Sequence, residues 1–71
     1  MRCEFNDGLR VSYSGKLRIH KGDEVSVALD RDEIPMDIQD ELLEAALHES
    51  CSEMRDIARE VTETFGTYVP E

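Results

Sequence analysis

The chain has 71 residues, with 17 acids against 8 bases, two cysteines and no tryptophan. At this length it forms one domain, 1–71, because two would each be too small to bury a core. No apolar run approaches the roughly 20 residues that span a bilayer, and a net charge of −9 argues against holding nucleic acid by phosphate neutralisation.

The first 29 residues read as strands. Cys3 and Phe5 flank Glu4; Leu9, Val11 and Tyr13 alternate with Arg10 and Ser12; Leu17 and Ile19 flank Arg18; Val25, Val27 and Leu29 enclose Ser26 and Ala28. Period-two alternation marks half-buried antiparallel strands. Turn residues separate the runs: Asn6-Asp7-Gly8, Ser14-Gly15 and His20-Lys21-Gly22-Asp23. The pattern predicts a four-stranded antiparallel meander with strands near 2–5, 9–14, 16–20 and 24–29. Its apolar face carries Val25 with Val27 and Leu29. Its solvated face carries Arg2, Glu4, Arg10, Ser12, Arg18, Glu24 and Ser26.

Asp30-Arg31-Asp32-Glu33 reads as a connection, and Pro35 with the acids after it as a helix start. No glycine or proline interrupts Asp37 to Phe65. Leu43, Leu47, Cys51, Met54, Ile57 or Ala58, Val61 and Phe65 recur at three- and four-residue steps, an amphipathic stripe. Ser50 and Glu53 form a capping box, and Gly66 is a helix-ending residue. One kinked helix or two consecutive helices, near 36–48 and 51–65, satisfy these signals, and the placement of Ile38 and Leu42 off the main stripe favours two. A single straight helix would expose Ile38 and Leu42, so these two are the expected contact of a homodimer. The tail Thr67-Tyr68-Val69-Pro70 is expected to add a short extended segment. The fold class is α+β, a four-stranded antiparallel β-meander packed on one face by this helical layer.

Charge divides sharply along the chain. Residues 1–29 hold five bases and four acids, whereas residues 30–71 hold three bases and thirteen acids. Glu49, Glu53, Asp56, Glu60 and Glu63 follow one another at steps of four, three, four and three, which align on one helix face. Asp37, Asp40, Glu41 and Glu44 precede them. Like charges at such spacing destabilise a helix by a few tenths of a kcal/mol per pair. A chain that keeps them is therefore expected to use them, as a rail of charge offered to a basic surface. A solvated helix face and adaptation to a salt-rich setting are the competing readings; two lysines against six arginines suit the latter.

Other chemistry finds little footing. Cys3, His20, His48 and Cys51 form a nominal Cys2His2 set, but no C-x2-C spacing supports zinc. Both cysteines occupy apolar positions and are expected as buried free thiols. A Cys3–Cys51 disulfide is the alternative, disfavoured by the cytoplasmic location expected from the lack of a signal peptide. No nucleophile–base–orienter set, calcium loop or phosphate-binding glycine loop is present. The expectation is a non-enzymatic interaction protein without metal or cofactor. Its partner is a protein with a basic, nucleic-acid-binding surface, and Asp37, Asp40, Glu41, Glu44, Glu49, Glu53, Asp56, Glu60 and Glu63 are the contact residues. It makes no direct contact with nucleic acid or membrane. In size and charge the analogy is to DNA-mimic decoys such as phage anti-restriction and anti-CRISPR proteins. A homodimerising adaptor whose acidic face is merely solvated is the alternative.

Overall fold

A computed structural model describes residues 1–66; the expected extended segment at 67–70 lies outside them. Strands β1 (Arg2–Glu4), β2 (Leu9–Tyr13), β3 (Lys16–Lys21) and β4 (Glu24–Asp30) form an antiparallel sheet in the order β1-β2-β3-β4. A single 3-10 turn, Arg31–Glu33, leads into helices α1 (Met36–His48) and α2 (Cys51–Phe65). This is the expected meander with two consecutive helices. Gly15, at φ 81°, turns β2 into β3 in the left-handed region that glycine enters without a side-chain penalty.

The register places Cys3 opposite Val11, Val11 opposite Ile19, and Ile19 opposite Val27, one continuous apolar row across the sheet. Tyr13, Leu17 and Leu29 form a second row. Between Ile19 and His20 the β3–β4 register slips by one residue. His20 then pairs with Val25, and Ser26 is the extra residue of a bulge. The slip corrects the simple alternation expected for β4. Val25 stands opposite His20, which alternates with buried Ile19, so Val25 belongs to the outer face. Val27 and Leu29 remain in the core.

α2 packs against β1, β2 and β4, and α1 packs against α2. Met54, Ile57, Ala58 and Val61 of α2 are buried, together with Ile38, Leu42 and Ala45 of α1 and Ile34 before it. The burial of Ile38 and Leu42 overturns their expected role as a dimer contact: they are 3% and 0% exposed inside the core. Leu43 and Leu47, expected in the core, are instead exposed. The cause is local. Glu49 ends α1 in the left-handed conformation, at φ 51°. That residue breaks the helical phase, so the apolar face of α1 no longer continues that of α2.

Hydrogen bonds fasten the helix ends. Ser50 caps α2, its hydroxyl accepting from the Glu53 backbone N–H at 3.4 Å. The Gly66 N–H closes the last turn on the Thr62 carbonyl at 2.7 Å. Pro35 stands just before α1 rather than within it. The Gln39 side-chain amide donates to the carbonyls of Arg31 and Ile34, each at 2.7 Å, and ties α1 to the turn it leaves.

Cys3 and Cys51 form a disulfide, with Cα atoms 5.5 Å apart. This corrects the expectation of two buried free thiols. Cys3 lies on the buried face of β1, whereas Cys51 is exposed as the first residue of α2. Packing α2 over β1 thus brings together two residues separated by 48 positions.

Candidate functional site: an acidic groove between two helices

The helical layer carries a groove lined by Glu41 and Glu44 from α1 and by Glu53, Asp56, Ile57 and Glu60 from α2. It encloses about 410 Å³ and opens to solvent. Buried Ile57 forms its floor, and the five carboxylate residues are exposed. The groove follows from residue spacing. Positions 53, 56 and 60 share one side of α2, just as 41 and 44 share one side of α1. Packing α1 on α2 turns the two sides toward each other.

The expected acidic residues are therefore regrouped. Glu41, Glu44, Glu53, Asp56 and Glu60, drawn from two separate segments, now line one site. Asp37 and Asp40 stay on α1 as exposed residues outside the groove lining. Glu49 sits in the break between the helices, and Glu63 is nearly a turn beyond Glu60.

The groove's charge is not neutralised from within. Among the described residues, the ion pairs are Arg2–Glu4, Lys16–Asp30 and Arg55–Asp7, and none involves a groove carboxylate. The arginines of α2 serve the opposite side. Arg55 bonds Asp7 in the β1–β2 turn and stands 4.9 Å from the centre of the Phe5 ring. Arg59 lines a separate cleft with Lys21, Ser26 and Thr62, between α2 and the sheet. α2 also has no basic residue in its last turn, where a cation would offset the helix dipole.

Glu53, Asp56 and Glu60 span about 10 Å of the α2 axis at 1.5 Å per residue, and Glu41 and Glu44 of α1 line the same groove. The site offers charge without a metal cage: among the described residues, no group of three or more His, Cys, Asp or Glu side chains is arranged to hold a metal ion.

The remaining candidates are scattered. His20 lines a shallow depression on the outer sheet face with Arg2, Arg10 and Ser12. His48 is at the end of α1, and the two cysteines are bonded to each other. The four residues of the nominal Cys2His2 set therefore do not converge. What sequence reading missed was the groove itself. The signal was the three-residue step from Glu41 to Glu44 beside the three- and four-residue steps of Glu53, Asp56 and Glu60, two rows able to face each other once the helices pair. No helix among the described residues is long and apolar enough to cross a membrane. Comparison with protein-family models, curated proteins and solved structures gave no match.

Proposed function

We propose that this chain is a non-enzymatic inhibitor that occupies a basic, nucleic-acid-binding surface of a partner protein, with the acidic groove as its contact. One observation carries the reading: five carboxylates converge from two helices on one groove, and among the described residues none of them has an ion-pair partner. A partner's lysines and arginines, spaced to meet phosphates, would meet this surface in the same way, and long-range attraction would speed the encounter. Glu49, Glu63, Asp37 and Asp40 extend the field around the groove. The same reading puts the protein in the cytoplasm, where a reducing environment would hold Cys3 and Cys51 as two thiols in contact. Binding to the partner would there supply part of the stability that the bridge supplies when oxidised.

The test begins with the immobilised chain and a nuclease-treated lysate, at about 0.05 M and about 0.5 M salt. The partner retained only at low salt is then purified. Adding the chain should displace labelled duplex from it, and E53K/D56K/E60K should not. A partner that binds the triple variant equally well, or that keeps its nucleic acid when the chain is bound, would refute the reading.

A further inference from the structure

The large apolar side chains left exposed among the described residues are Met36, Leu43 and Leu47, at 70%, 38% and 82% exposure. All three belong to α1. At 3.6 residues per turn they fall on one line along the helix, on the side away from Ile38, Leu42 and Ala45. The line is about 16 Å long at 1.5 Å per residue and is interrupted only by Asp40. Scattered single apolar residues on a surface need no explanation, but a line of them on one crest does.

The crest is continuous with the acidic groove. Glu41 and Glu44, on the flank of α1 beside the crest, line the groove itself. α1 contains no lysine or arginine. A second copy of this chain is a poor occupant, because antiparallel pairing of two crests would bring two sets of α1 carboxylates together without a cation between them. Three side chains also fall short of the roughly 800 Å² per partner that a stable interface buries.

We propose that the α1 crest and the groove form one composite docking surface for a cationic amphipathic helix of the partner. The helix lays its apolar stripe on Met36, Leu43 and Leu47 and turns a bordering row of lysines and arginines into the groove. This rests on the inhibitor reading and sharpens it: the blocked surface contains an apolar stripe beside its cations. The leucines supply the desolvated anchor that charge alone lacks.

Two synthetic helical peptides of equal length and charge test this on the full chain, one of lysine and leucine in amphipathic register, the other of lysine and alanine. Titration calorimetry at about 0.15 M salt should show the wild-type chain preferring the leucine peptide by about tenfold or more, the equivalent of about 1.4 kcal/mol. L43Q/L47Q should lose that preference while binding the alanine peptide as the wild type does. Circular dichroism should show an intact fold, since both leucines are exposed. If L43Q/L47Q keeps the preference, the composite surface is wrong. It is equally wrong if sedimentation equilibrium shows a wild-type dimer that the same variant dissolves, because a second copy would then cover the crest. Failure of the underlying reading has a different signature: E53K/D56K/E60K would bind both peptides as tightly as the wild type.

Discussion

Reducing the Cys3–Cys51 bridge should remove about half of this protein's stability. The bridge joins residues 48 positions apart, so it removes a large amount of freedom from the unfolded chain. The loop-entropy relation gives about 4 kcal/mol at 25 °C for a loop of this size. A single core below about 70–80 residues seldom supplies more than about 3–5 kcal/mol, so the bridge stabilises by an amount comparable with everything else. For a chain this small, the urea dependence is near the lower end of its range, about 1 kcal/mol per molar. The midpoint should therefore move down by about 4 M on reduction. The assay is urea unfolding followed by circular dichroism, with and without a phosphine reductant, alongside thiol titration of the unreduced protein. C3A/C51A should reproduce the reduced curve, less a small contribution from the space left at Cys3. Coincident oxidised and reduced midpoints would refute the reasoning, and so would two titratable thiols in the unreduced, unfolded chain.

Two further predictions concern the helices. Leu42→Ala should destabilise the fold by about 2–5 kcal/mol, since Leu42 is fully buried, whereas Leu47→Ala should change stability by less than about 0.5 kcal/mol; equal urea midpoints for the two variants would place the core wrongly. D56N/E60Q/E63Q should stabilise the chain by about 1–2 kcal/mol at low salt, by relieving like-charge pairs on α2 and an acid at its dipole's negative end. The gain should shrink at high salt, and a loss of stability at low salt would mean that these carboxylates have partners that the fold does not reveal.

That last comparison bears on why the charge is there. The apolar rows of the sheet and the buried faces of α1 and α2 account for folding without any groove carboxylate. Arg55 shows the contrast on the same helix: its guanidinium is committed to Asp7 and Phe5 on the sheet side. The groove is thus left with a single sign of charge, and the crest beside it with the exposed apolar line.

Much of this was legible in the sequence, because local signals act over a few residues. Period-two alternation and the three turn clusters determined a four-stranded meander. The Ser50 cap and its Glu53 partner pointed to a second helix start, since a capping hydroxyl satisfies backbone donors, but the choice between one kinked helix and two was left to the structure. The three- and four-residue spacing of Glu53, Asp56, Glu60 and Glu63 determined that a helix there would carry a charged row. Tertiary structure decided the rest, because it depends on how separate elements meet. The left-handed Glu49 reset the phase of α1, burying Ile38 and Leu42 and exposing Leu43 and Leu47. The bulge at Ser26 moved Val25 to the outer face. The docking of α2 on β1 joined Cys3 to Cys51, and the pairing of α1 with α2 turned two acidic rows into one groove. Composition sets the net charge of −9, but only packing concentrates five of those carboxylates in one place.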